Sequence, residues 1–112
     1  MTEYGNIEVI RQILELDIGE QEEKLLHLKD LANVWLNTFY PSDVLSEVST
    51  AAKDAAVNFY TAYLFTISTG GFTTEVPATA GEFRRVSESY LKQAMNSIGE
   101  IYKIRKVNKW LL

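Results

Sequence analysis

Glu47 to Thr69 reads EVSTAAKDAAVNFYTAYLFTIST. Its first half carries little larger than alanine on one side, and its second half carries Phe59, Tyr60, Tyr63, Leu64, Phe65 and Ile67. Two rows fall at helical spacing, Val48, Ala52, Ala55, Phe59, Ala62 and Thr66 beside Ala51, Ala55, Ala62 and Phe65. A helix so widely apolar does not suit the edge of a small domain, because too much of it would face water. The stretch is expected to be the central helix, or an interface as well.

Working back from it, Glu20 to Tyr40 keeps the helical period, with Leu25, Leu28, Ala32, Trp35 and Phe39 on one stripe and Leu31 beside it. Glu20, Glu22 and Glu23 are expected in its first turn, where exposed amide dipoles favour negative charge. Pro41 closes it. Ser42 is the expected cap of a short helix through Leu45, and Ser46 a candidate cap for the central helix. Before these, Asn6 to Leu16 spaces Ile7, Ile10, Ile13 and Leu14 as one helix face, with Asn6 as cap and Gly19 as the break.

After the central helix, Gly70-Gly71 reads as a left-handed stop, and Gly70 to Pro77 as the longest loop, with Phe72 as a possible contact. Thr79 and Glu82 are spaced as a capping box for a last helix whose stripe is Phe83, Val86, Tyr90, Ala94 and Ile98, joined by Leu91 and Met95. On its other side Glu88 and Lys92 are spaced for a helical ion pair. Gly99 interrupts, and EIYKIRKVNKWLL places Ile101, Ile104, Val107 and Trp110 every third residue, as an arm leaving the bundle. The expected architecture is all-α: an antiparallel bundle of about four helices over residues 1–99, with an extended carboxy-terminal arm over residues 100–112.

Size and composition agree. A chain of 112 residues makes one domain and buries roughly 65% of its unfolded surface. With 46% hydrophobic and 23% charged residues it has the composition of a folded globular protein. The absence of cysteine removes disulfides, thiolate metal sites and a cysteine nucleophile. MTEYGNIEVIRQ does not read as a secretory signal. The apolar run Ala55 to Ile67 falls short of the roughly 20 residues a bilayer needs, so a soluble protein with no membrane partner is expected.

The net charge of −4 is unevenly placed: acids dominate residues 1 to 30, whereas Lys103, Arg105, Lys106 and Lys109 face only Glu100 in the last thirteen. Such polarity suits head-to-tail contact between copies, although two solvated helix faces would read the same way. His27 with Glu23 one turn earlier is too few ligands for zinc, and no second Glu-x-x-His completes a di-iron set. The Glu20, Glu22 and Glu23 cluster is explained by a helix amino terminus, and Gly70-Gly71 lacks the lysine of a phosphate loop. Phe59, Tyr60, Tyr63 and Phe65 have no interleaved cations for stacking on nucleic acid. No catalytic, cofactor or metal site is expected. Trp110, Leu111 and Leu112 are a different matter: left in water beside four cations they would be adhesive, so they fold back or dock on another chain.

The order of elements, IEVIRQILELDIGE, LKDLANVWLNTFY, AAKDAAVNFYTAYLF, a glycine-containing loop and EFRRVSESYLKQAM, resembles the small all-α head-tail connector, or adaptor, proteins of tailed bacteriophages and related archaeal viruses. The similarity covers about residues 6 to 98, in pattern more than in identity. It implies a structural virion protein, not an enzyme, made in the host cytoplasm and placed at the neck. Copies would form a ring, commonly of twelve, under the portal protein and against a further connector or tail protein, extending a channel that DNA traverses without sequence-specific binding. By the same resemblance the arm residues Ile101, Tyr102, Ile104, Arg105, Lys106, Val107, Trp110, Leu111 and Leu112 would grip the portal. Glu20, Glu22 and Glu23 would face the channel and keep DNA from sticking. The alternative is a small helical regulatory or chaperone-like module that binds one partner in a groove beside the arm.

Overall fold

The computed structural model describes residues 3–68, 85 and 88–99, and among these every regular element is helical. α1 spans Ile7–Leu14, α2 Glu22–Phe39, α3 Ser42–Leu45 and α4 Thr50–Ser68. Residues 88–99 form a further helical segment. The protein is all-α over this extent. No helix among the described residues is long and apolar enough to cross a membrane.

α2 and α4 are the scaffold, and two apolar clusters mark its two ends. Leu25 and Leu28 of α2 meet Ala62 and Phe65 of α4, with Ile10 and Leu14 of α1 laid over them. Ala32, Leu36 and Tyr40 meet Val44, Leu45, Val48, Ala56, Val57 and Ile98. The start of α2 therefore lies by the end of α4. Pro41 closes α2 as expected, with Tyr40 already extended.

The amino-terminal residues are bound as tightly as a helix would be. The Tyr4 N–H donates to Asn33 Oδ1 at 2.8 Å, the Gly5 N–H to Asp54 Oδ1 at 2.9 Å and the Asn6 N–H to Asn58 Oδ1 at 2.7 Å. Side chains of α2 and α4 thus satisfy three successive backbone donors that no secondary structure would pair. Asn6 then caps α1 by accepting from the Glu8 and Val9 N–H groups, as its place in the sequence predicts.

The turn between α1 and α2 departs from expectation. α1 ends at Leu14 because Glu15 adopts a left-handed conformation, φ 58°, well before Gly19. Gln21 is left-handed too, φ 58°, so Glu20 lies in the turn and not in the first turn of α2. Arg11, only 3% exposed, staples the turn: its Nε donates to the Glu20 carbonyl at 3.0 Å. Its guanidinium also pairs with Glu8 and lies 3.8 Å from Glu22. The Glu20 carboxylate accepts from the Asp17 N–H at 3.1 Å.

Three smaller expectations are corrected. Ser42 is the first residue of α3 and makes no side-chain cap. Ser49, not Ser46, caps α4 through the Ala52 N–H at 3.1 Å, while the Ser46 hydroxyl turns back to the Asp43 carbonyl. The buried face of α4 is Ala56, Val57, Asn58, Thr61, Ala62, Phe65 and Thr66, so Phe59 and Ala55 are only half-buried and Ala51 is exposed. Thr61 and Thr66 fit there because each hydroxyl donates to the carbonyl four residues earlier, Val57 at 2.7 Å and Ala62 at 2.8 Å.

In the 88–99 segment Ala94 and Ile98 are buried and Tyr90 is half-buried, as the stripe predicts, whereas Met95 is exposed. The Tyr90 hydroxyl donates to the Ile13 carbonyl at 3.3 Å. Gly99 is itself helical, and the chain after it lies outside the described residues. The Gly70-Gly71 stop, the 70–77 loop with Phe72, the capping box, Phe83, Val86 and the arm over residues 100–112 lie outside the described residues.

Candidate docking surface

A row of aromatic rings bridges the two long helices. Trp35 of α2 stacks on Tyr60 of α4 with ring centres 4.0 Å apart and planes 5° from parallel. Phe39 extends the row beyond Trp35 at 6.1 Å, and Tyr63 continues it beyond Tyr60 at 5.5 Å. Tyr40 closes on Trp35 edge-on at 5.6 Å. The order along each helix explains the row, since Trp35 and Phe39 are one turn apart, as are Tyr60 and Tyr63.

This row is not covered as a core would be. Trp35, Tyr60 and Tyr63 are half-buried, Phe39 is 48% exposed, and Leu31 and Val34 are exposed on the same helix. Leu31, Val34, Trp35 and Phe39 follow the three-and-four spacing of an amphipathic face, and here that face points outward. Burial raises the Tyr60 phenol above its ordinary value, with Tyr63 adding to the rise. The row offers flat apolar area with hydroxyls at its margin.

A groove of about 320 Å³ opens between Tyr40 and the 88–99 helix, with Leu91 and Met95 as apolar wall and Lys92 and Asn96 as polar rim. Gly99 lies at the same groove.

The residues singled out from sequence fall elsewhere. Glu20, Glu22 and Glu23 are all exposed, the first in the turn and the others at the start of α2. His27 is exposed on the outer side of α2, and among the described residues no three His, Cys, Asp or Glu side chains are grouped for a metal. Phe72 and Ile101 to Leu112 lie outside the described residues.

Sequence reading placed Trp35, Phe39 and Leu31 on or beside the buried stripe of α2 and left out Leu36, which is fully buried. Continuing Leu25 and Ala32 by four gives Leu36, and the aromatics then fall to one side. No family model, curated protein or solved structure matches the chain.

Proposed function

We propose that this protein is a structural assembly subunit of the head-tail connector type, one that forms a ring of copies and joins larger virion parts at the neck. The observation that carries the reading is the outward apolar strip of Leu31, Val34, Trp35 and Phe39 with Tyr60 and Tyr63 behind it. A lone subunit pays for that surface in water, and a neighbouring chain removes it. The resemblance in the order of elements supports the connector assignment over other assembly roles. The antiparallel four-helix bundle with a trailing arm belongs to the same reading, supported by the packing of α1, α2 and α4 and by the contacts of Ile98 and Tyr90.

The experiment is direct imaging of the purified protein, alone and mixed with a phage portal protein. Closed rings, or a complex stacked on the portal, are expected. A single chain that binds no portal at any concentration overturns the reading.

The groove favours a second reading. Apolar Tyr40, Leu91 and Met95 under a Lys92 and Asn96 rim would seat one helix of a partner, as a small regulatory or chaperone-like module does. A one-to-one complex lost on Met95→Asp, without rings, would select it.

A further inference from the structure

We propose that copies of this chain exchange their amino-terminal segments: residues 3–14 of one copy leave their own α2 and α4 and fill the same seat on a neighbour, with residues 15–21 as the hinge. The inference deepens the proposed function by naming one contact between copies, and it rests on the self-assembly in that reading.

The seat is built by α2 and α4, and it is specific for what it holds. Asn33, Asp54 and Asn58 accept the N–H groups of Tyr4, Gly5 and Asn6 in succession, and Asn33 Nδ2 returns a bond to the Tyr4 carbonyl. Side chains are selected too. Gly5 sits at φ 97°, where a Cβ would lie 2.7 Å from Val57 Cγ1, so the seat requires glycine at that step. The Tyr4 ring lies under Lys53 Nζ at 5.3 Å. Further along, Ile10 and Leu14 are buried on Leu25, Leu28, Ala62 and Phe65. These requirements are met by the chain's own residues 3–14, and every copy carries them. A segment arriving from a neighbour makes the same bonds as one from the same chain. Hinge and concentration then decide between the two.

The closed form is poorly satisfied at the hinge. Glu15, Gly19 and Gln21 are all at positive φ, and two of them are not glycine, so the turn is strained. Ile18 at its tip is 92% exposed and adds almost nothing to the core. Arg11 Nη2, buried against the turn, has no hydrogen-bond partner among the described residues and stays 3.8 Å from Glu22. Arg11 Nε on the Glu20 carbonyl is the bond that opening must break. The bond from the Glu20 N–H to the Asp17 carbonyl joins exposed residues, where water replaces it. A short, strained connection between well-made parts favours exchange, because opening it releases strain while the seat is refilled.

Reach allows the transfer. The hinge residues 15–21, extended, span about 24 Å at ~3.4 Å each, more than twice the roughly 8–10 Å between packed helices, so a seat on an adjoining copy lies within range. Passed back and forth, the segment makes pairs. Passed onward in one direction, it makes the closed ring of the proposed function.

Three full-length forms test this by light scattering, with circular dichroism as the check on folding. Gly19→Pro forbids the φ of 83° that the closed turn needs, and should tighten association about tenfold or more over wild type. Inserting Gly-Ser-Gly-Ser after Gly19 relaxes the turn, and should weaken association about tenfold or more. The contact itself is read by refolding 15N-labelled and 13C-labelled Gly19→Pro together. A nuclear Overhauser effect from the Asn6 N–H to the side chain of Asn58, whose Oδ1 accepts that N–H at 2.7 Å, then joins two copies. Equal association in all three forms overturns the proposal, as does an Asn6 to Asn58 contact that stays within one copy. Should Gly19→Pro not fold, the same labelling of wild type against the lengthened hinge decides the matter. Rings whose contact stays within each copy reject exchange and leave the connector reading in place. Exchanged pairs that close no ring and bind no portal reject the connector reading and keep exchange.

Discussion

The Asn33 side-chain amide pairs with the backbone of Tyr4 on both sides, Oδ1 accepting from the Tyr4 N–H at 2.8 Å and Nδ2 donating to the Tyr4 carbonyl at 3.0 Å. Nδ2 also reaches the Lys29 carbonyl at 3.0 Å, so one 4%-exposed side chain ties α2 to the segment before α1. Asn33→Ala leaves the Tyr4 amide without its partner and should cost about 1–3 kcal/mol. Asn33→Asp keeps the acceptor, loses the donor and buries a charge, and should cost at least as much. Thermal melts give the size of the effect. Amide exchange at Tyr4 to Asn6 should rise more than exchange in α4, and uniform exchange throughout would count against a local clamp.

Gly5 and Gly19 both sit at positive φ, 97° and 83°, but only one is crowded. A Cβ on Gly5 would lie 2.7 Å from Val57 Cγ1 and 3.1 Å from Asn58 Oδ1, whereas one on Gly19 meets nothing within 4 Å. Gly5→Ala should therefore destabilise by roughly 2–4 kcal/mol, from backbone strain and forced repacking together. Gly19→Ala carries the strain alone, about 1 kcal/mol. Equal melting points for the two variants would show that the approach of Gly5 to α4 is not tight in solution.

The fold was legible where burial and period coincide. Ile10, Leu14, Leu25, Leu28, Ala32, Ala62, Phe65 and Ile98 are all buried and all recur at helical spacing. It was hidden where polar side chains replace a backbone partner. Asn58 interrupts an apolar run and Asp54 precedes it by one turn on the same face, yet nothing in the period says that they hold residues 5 and 6. The left-handed Glu15 is hidden for a similar reason: its conformation follows from what Arg11 fastens downstream, so Gly19 looked like the natural stop. The aromatic strip is hard to place from sequence because aromatics at helical spacing signal burial without saying which side of the helix is covered.

Tyr90 and Tyr60 make stability fall in alkali. Burial raises both phenols above their ordinary value of 10.0, with Glu15 adding to the rise at Tyr90 and Tyr63 at Tyr60. The folded state then holds its phenolic protons at a pH where the unfolded chain has begun to release them. Their contribution is complete below pH 10.0 and is lost as pH climbs through the higher folded values. Tyr90→Phe should lower stability at neutral pH by about 0.5–1.5 kcal/mol, for the lost bond to Ile13, and flatten the decline above pH 10. Tyr60→Phe should flatten it with little neutral cost. Denaturant midpoints between pH 7 and 11 decide the matter, and an alkaline decline unchanged in the double variant would reject it.

Val34 and Trp35 are adjacent in sequence and separate the two roles of the strip. Val34 is 52% exposed, so Val34→Glu should leave the monomer within about 0.5 kcal/mol of wild type. If the strip is a contact between chains, a carboxylate at that point must be desolvated on assembly, and association should weaken by at least tenfold. Trp35 is stacked on Tyr60 and packed against Tyr40, so Trp35→Ala should cost the monomer itself about 3–5 kcal/mol. Measuring unfolding and self-association on both variants keeps these effects apart. Loss of association with Val34→Glu at unchanged stability marks the strip as an interface. Unchanged association with that variant means that copies meet elsewhere, and leaves the aromatic row as the outer seam of the α2 and α4 packing.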